Sequence, residues 1–370
     1  GSNSSAGTDS ADASAETFKI GGIGPITGAG AVYGIAVKNG AELAIKEINE
    51  AGGINGYQIE YNFQDDELDN EKSVNAYNTL KDWGMNMLVG SVTSGCCVAV
   101  AAESKNDNMF QITPSGSSVD CIEGNDNVFQ VCFTDPNQGV GAADYIGGNN
   151  LASKVAVIYD SSDVYSSGIY AKFKEEAATQ NFEIVSEEAF TADNKTDFSV
   201  QLAKAQEAGA ELVFLPIYYT EASLILKQAD SMGYAPKFFG CDGLDGILGV
   251  ENFDTSLAEG VMLLTPFAAD AQDDLTKKFV SAYETAYNDT PNQFAADAYD
   301  AVYAIKAAAE KGDVAPSDGV SGICDKMKAA MQEITIDGLT GEGMNWAADG
   351  TVNKAPKAME IKNGAYALVQ

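Results

Sequence analysis

Short apolar runs bounded by glycine alternate with stretches of helical period, and the whole alternation occurs twice. FKIGGIG, from Phe18, reads as a buried strand. GPITGAGAVYG is a glycine-rich loop. Val37, Ala41, Ala44, Ile45 and Ile48 then recur at helical spacing until Gly52-Gly53 end the helix. Ile59, Tyr61 and Phe63 alternate as a strand, and Val74, Tyr77 and Leu80 mark a helix. MNMLVG is a strand, Cys96 to Lys105 a helix, and MFQIT a strand. The pattern restarts with KVAVIYD, a helix from Tyr165 to Gln180, and FEIV. A helix from Phe198 to Ala208, ELVFLP, a helix from Glu221 to Met232, KFFG and GVMLLTPF follow. Strands separated by helices call for a parallel sheet, because a tight hairpin cannot return a strand in the same direction. Two such runs predict an α/β chain of two similar lobes. Three late helices near 271–288, 292–311 and 321–333 precede the strand-like APKAMEIK and GAYALVQ. They must pack on sheets already formed, so the chain is expected to cross between lobes more than once.

Composition narrows the chemistry. The 370 residues include 22 Lys+Arg, 54 Asp+Glu and no His, a net charge of −32. Every basic residue is Lys. The chain therefore has no imidazole base, no histidine nucleophile pair or metal ligand, and no bidentate guanidinium clamp. So acidic a surface repels nucleic acid and anionic membranes. No run approaches ~20 apolar residues, the length needed to span a bilayer. Residues 1–17, GSNSSAGTDSADASAET, read as a flexible tether, as on a cell-surface lipoprotein whose lipidated cysteine lies outside the sequence. Of the six cysteines, Cys121 and Cys132 flank a Gly/Asn-rich turn and could form a local disulfide. None makes a C-x-x-C pair, and no metal or cofactor is expected.

In an open parallel sheet, ligands lie beyond the carboxyl ends of the strands. That rule selects SVTSG, opening a helix at Ser94, and PSGSS, with Ser115, Gly116 and Ser117. Both loops offer hydroxyls and free N–H groups, which suit a carboxylate. A phosphate-rich ligand is disfavoured, since no G-x-x-x-x-G-K-[ST] loop is present. In the second run, YDSSDVYSSG carries Tyr165, LPIYYTEA carries Tyr218 and Tyr219, and FFGCDGLDG carries Asp242. An acid among glycines can bind an ammonium, and tyrosines can wall a ligand and hydrogen-bond it. One lobe offering carboxylate binders and the other an ammonium binder describes a cleft for a zwitterion.

The residues also resemble a family. IGPITGAGAVYG, NGAELAIKEINEAGGINGYQIEY, QDDELDNEKS, SVTSG, ITPSGSS, NVFQVCFTDPNQG, KVAVIYDSSDVYSSG and FGCDGLDG occur in order across about 18–370. They resemble the type I periplasmic binding proteins, in particular the leucine/isoleucine/valine-binding receptors of ABC importers. The resemblance implies two Rossmann-like lobes, three crossovers and a central cleft that closes by hinge bending. It implies lobe 1 as 18–136 plus 266–343, and lobe 2 as 137–265 plus 344–370. It also implies that Ser94, Gly116 and Ser117 hold a ligand carboxylate, with Ser115 counted beside them. Tyr165 and Asp242 would bind the α-ammonium, and Tyr33 and Tyr218 would line the cleft. A monomeric, non-enzymatic, extracytoplasmic receptor follows, delivering an amino acid to a membrane permease and touching the membrane only through a lipid anchor.

Departures from the family pattern are visible. Asp242 stands where the amino-acid binders often carry Glu, and Thr93 where a disulfide cysteine can stand. Cys96 and Cys97 open the following helix in place of smaller polar residues. A preference among Leu, Ile and Val is therefore not carried over. An amide, urea or aromatic-acid ligand on the same fold, or a ligand-sensing receptor subunit, stays open. QDDELDNE lacks calcium-loop spacing and reads as a solvated acidic loop. The aromatic-rich stretch from Tyr283 to Ile305 reads as core, with Phe294 able to reach the cleft edge.

Overall fold

A computed structural model describes residues 16–369. Most of the expected tether therefore lies outside the described residues. The first strand starts at Thr17, one residue ahead of Phe18. Strands β1 (Thr17–Gly24), β2 (Gln58–Asp65), β3 (Met87–Val89), β4 (Phe110–Thr113) and β5 (Val128–Gln130) form a parallel sheet in the order β2-β1-β3-β4-β5. Between them run α1 (Ala31–Glu50), α2 (Asn70–Trp83) and α3 (Ser94–Asp107).

After α4 (Asp135–Gly148) the layout repeats. Strands β6 (Lys154–Asp160), β7 (Glu183–Phe190), β8 (Leu212–Leu215), β9 (Lys237–Gly240) and β10 (Met262–Thr265) run parallel. Their intervening helices are α5 (Val164–Ala177), α6 (Ser199–Glu207) and α7 (Tyr219–Ser231). The late helices α8 (Asp274–Tyr287), α9 (Gln293–Lys311) and α10 (Gly319–Met331) return to the first sheet, where α9 packs along α1. Strands β11 (Lys357–Lys362) and β12 (Ala365–Leu368) add antiparallel to β10, giving the order β12-β11-β10-β9-β8-β6-β7. The chain thus passes between the two sheets at 131–134, 266–273 and 332–356. β5 and α4 escape the sequence reading. β5 has three residues, and α4 is rich in Gly and Ala with no strong apolar stripe.

Two glycines fix how the halves of the first lobe meet. A Cβ at Gly40 on α1 would lie 2.1 Å from the carbonyl oxygen of Ala295, so only glycine lets α1 and α9 touch there. A Cβ at Gly34 would lie 1.6 Å from the oxygen of Pro25. The two contacts hold Tyr33 and Phe294 against each other, ring centroids 4.5 Å apart.

The crossovers are stitched together by buried polar groups. Trp346 Nε1 donates to the carbonyl of Gln130 at 2.8 Å, and Gln130 N donates to Gly350 O at 2.9 Å. Lys354 Nζ donates to Val131 O at 2.6 Å and lies 3.7 Å from the Asp297 carboxylate. The first and third crossovers therefore share one hydrogen-bonded seam.

One open possibility is decided and one expectation needs correction. Cys121 and Cys132 are not bridged: all six cysteines are free and buried. The Cys121 thiol instead donates to Ser94 O at 3.8 Å. The acidic loop is only partly solvated. Asp66 is fully buried and accepts from Leu68 N at 3.0 Å, and Asp65 accepts from Ile26 N at 3.0 Å. These carboxylates terminate backbone N–H groups. Among the described residues no acidic cluster is arranged to hold a metal.

Candidate ligand-binding site

Strand order reverses between β1 and β3 in one sheet and between β6 and β8 in the other. At such switch points the loops diverge and leave a crevice. Tyr33 follows β1, Ser94 follows β3, Tyr165 follows β6, Tyr218 follows β8, and Asp242 follows β9. The lobes face each other with these ends together and are closed. Tyr219 Oη accepts from Val32 N at 3.0 Å, Thr220 Oγ1 donates to Ala29 O at 2.8 Å, and the Tyr33 hydroxyl donates to Gly243 O.

One small cavity collects the predicted groups from both lobes. Tyr33, Ser94, Ser115, Tyr165, Tyr218 and Asp242 all line it. Its volume is about 10 Å³, room for about one water. Gly116 and Ser117 are buried behind it. Gly116 N donates to Thr113 Oγ1 at 2.8 Å, and its carbonyl accepts from Gln130 Nε2 at 2.8 Å. Ser117 donates its hydroxyl proton to Asp135. Neither Gly116 nor Ser117 is among the residues that line this cavity. Ser117 instead ties the carboxylate loop to α4.

The first-lobe wall is a cradle of donors. Ser94 is the first residue of α3, whose opening N–H groups have no intrahelical carbonyl to meet. Its Oγ accepts from Ser118 N at 3.2 Å, and Ser115 Oγ donates to Val92 O at 2.6 Å. The second-lobe wall is acidic and aromatic. Tyr165 Oη donates to Asp242 Oδ1 at 2.6 Å and accepts from Gly243 N at 2.9 Å. The Tyr165 and Tyr218 rings stack 4.8 Å apart at 7°. Burial pushes Asp242 up to about 6, and the Tyr165 hydrogen bond opposes the rise.

Asp135, Gln138, Thr93 and Phe294 complete the site. Gln138 on α4 accepts from Asp242 N at 2.9 Å, linking the acid to the first crossover. Burial raises the Asp135 pKa well above its ordinary value, and its Oδ2 has no hydrogen-bond partner among the described residues. The sequence reading missed Asp135 and Gln138 because no strand or helix was assigned around them. The F-T-D-P sequence at 133–136 was the available signal, a Thr before an acidic first turn with Pro at its start. Outside the cavity, past Tyr218, lies a second space of about 450 Å³ lined by Asn70, Glu71, Asp160, Asp163, Lys195 and Glu221. It forms the approach to the cleft.

Comparison with known proteins agrees with this fold. Residues 17–365 match the family described as periplasmic binding protein. The chain belongs to that family. It is 33% identical over 308 residues to Leu/Ile/Val-binding protein homolog 3 of Brucella melitensis, covering 81% of each. It is 30% identical over 338 residues to the leucine-, isoleucine-, valine-, threonine-, and alanine-binding protein of Pseudomonas aeruginosa, covering 91% of this chain and 87% of that one. Among solved structures it is similar to the branched-chain amino acid transporter substrate binding protein LivJ from Streptococcus pneumoniae in complex with isoleucine. That match has a TM-score of 0.86 at 30% identity and covers 95% of this chain and 98% of the other. Family members are solute-binding proteins, and the type I fold with two parallel-dominated sheets is shared with them. No described helix is long and apolar enough to cross a membrane.

Proposed function

We propose that this periplasmic binding protein family member is the extracytoplasmic receptor of an ABC importer, and that it captures an α-amino acid between its lobes. It acts as a monomer, performs no chemistry on its ligand, and presents the closed form to a membrane permease. Lobe 1 comprises 18–136 plus 266–343, and lobe 2 comprises 137–265 plus 344–370. One observation carries the reading. A buried carboxylate, Asp242, faces the hydroxyl and N–H cradle of Ser94 and Ser115 across one enclosed cavity between the lobes. A zwitterion satisfies both walls at once. Its carboxylate takes the donors of the first lobe, and its ammonium takes Asp242 of the second.

Binding drives closure because the second set of contacts exists only when the lobes meet. An open form would leave Asp242 solvated, so the ligand's differential contacts are the Asp242 and tyrosine contacts. The relatives named above, with their Leu, Ile, Val, Thr and Ala ligands, support an amino acid as the ligand class.

The test is a thermal-shift screen of the full chain, unfolded and refolded to strip carried ligand, against the common amino acids, urea and aromatic acids. A ligand at 100 times Kd stabilises by about 2.7 kcal/mol. A rise with α-amino acids supports the reading. A rise only with compounds lacking an ammonium overturns it.

A further inference from the structure

Two hydroxyls in the cleft have nothing to bond. Thr93 is 5% exposed, and neither Thr93 Oγ1 nor Tyr218 Oη has a hydrogen-bond partner among the described residues. Thr93 lies beside the Cys96 thiol without forming a hydrogen bond of proper geometry. Thr93 is the residue just before α3, where a threonine ordinarily bonds the opening N–H groups of its helix, yet its side chain makes no such cap. Thr93 and Tyr218 both line the cavity that holds Ser94 and Asp242. A buried hydroxyl left unbonded is costly, and such groups in native structures call for a partner. Val92 and Phe294 supply apolar side chains to the same wall, beside the hydroxyls of Tyr33, Ser115 and Tyr165.

We propose that Thr93 and Tyr218 read the ligand's side chain, and that the cleft prefers a small amino acid bearing a hydroxyl over its aliphatic isostere. The inference rests on the amino-acid reading above and names its side-chain class. Threonine fits the two walls: a methyl for Val92 and Phe294, a hydroxyl for Thr93 and Tyr218. Valine has the same shape and would leave both protein hydroxyls orphaned. A pocket with hydrogen-bonding groups discriminates more strongly against an analogue lacking the partner than an apolar pocket does against an added hydroxyl.

The test is calorimetric titration of the ligand-stripped full chain with L-threonine, L-valine, L-serine and L-alanine. Threonine should bind roughly 10–100-fold more tightly than valine. In Thr93→Val the ratio should fall towards one, and in Thr93→Ser, which keeps the hydroxyl, it should persist. Tyr218→Phe supplies a second reading of the same ratio should Thr93→Val fail to fold. Valine binding as tightly as threonine in the unsubstituted protein overturns the inference, as does a ratio unmoved by Thr93→Val. Binding by none of the four also overturns the inference, and the thermal-shift screen against all common amino acids then decides separately whether the amino-acid reading falls with it.

Discussion

The Tyr165 hydroxyl donates to Asp242 Oδ1 at 2.6 Å, and the Tyr165 ring lies stacked on Tyr218. The acid that would hold an ammonium is therefore aimed by one tyrosine, which is itself packed in place by another. The hydrogen bond also stabilises the ionised carboxylate against its burial.

Asp242→Asn keeps the size and removes the charge. Binding of an α-amino acid should weaken by about 2–5 kcal/mol, the range for breaking a buried charge pair. Tyr165→Phe should weaken it less, because the carboxylate remains. Titration calorimetry on the two variants checks the order. Equal affinity of Asp242→Asn and the parent protein would remove Asp242 from the site.

Affinity should depend on pH through the same group. Burial places Asp242 at about 6 when the lobes are closed without ligand, and an ammonium partner lowers it in the complex. Affinity should therefore be level above about pH 7 and fall below pH 6, by up to tenfold per unit. Stability of the ligand-free protein runs the other way. Asp66, Asp163 and Asp242 are all raised by burial from 3.8 to about 6. The folded state holds these protons to higher pH than the unfolded chain, so their stabilisation is full below about 4 and is lost as the pH rises through 6. Melting temperatures of the stripped protein should decline between pH 5 and 7, while affinity rises. A binding curve flat from pH 5 to 8 would contradict the first half of this.

Lys354 and Asp297 are each 2% exposed in their side chains and 3.7 Å apart. Lys354→Met should destabilise the protein by about 3–5 kcal/mol, because the Asp297 charge is left buried and alone. Adding Asp297→Leu should recover much of the loss. Denaturant melts of the two variants decide it. A double variant no better than the single one would show that Lys354 acts through Val131 and Thr340 instead.

All six cysteines should be found as thiols. Alkylation under denaturing conditions without reductant, followed by mass spectrometry, should add six labels. A result of four would identify a disulfide and contradict the free thiols seen here.

Much of the architecture could be read in advance, because local period and composition carry it. FKIGGIG, KVAVIYD and ELVFLP are apolar enough to be strands in any parallel sheet, and the strand-end rule then selects Ser94, Ser115, Tyr165, Tyr218 and Asp242 without coordinates. All five line the cavity. The resemblance added Tyr33 and the number of crossovers. What stayed illegible lay where the chain has no period. VFQ is too short to announce β5, and the Gly/Ala-rich helix after Pro136 shows little amphipathic contrast. With that helix went Asp135 and Gln138, whose roles come from contacts to Ser117 and Asp242 across the fold.

The sequence by itself determined the class of fold, the absence of His and Arg chemistry, and which loops could meet a ligand. These follow from neighbours along the chain: hydrophobic period, capping residues and charge count. Only the tertiary structure decided the rest. It set Gly116 and Ser117 behind the cavity wall, buried Asp66, left Cys121 and Cys132 unbridged, and gave Thr93 an unpartnered hydroxyl at the cleft. Burial and hydrogen-bond satisfaction depend on what the far parts of the chain bring to a residue, and that information is absent from its local sequence.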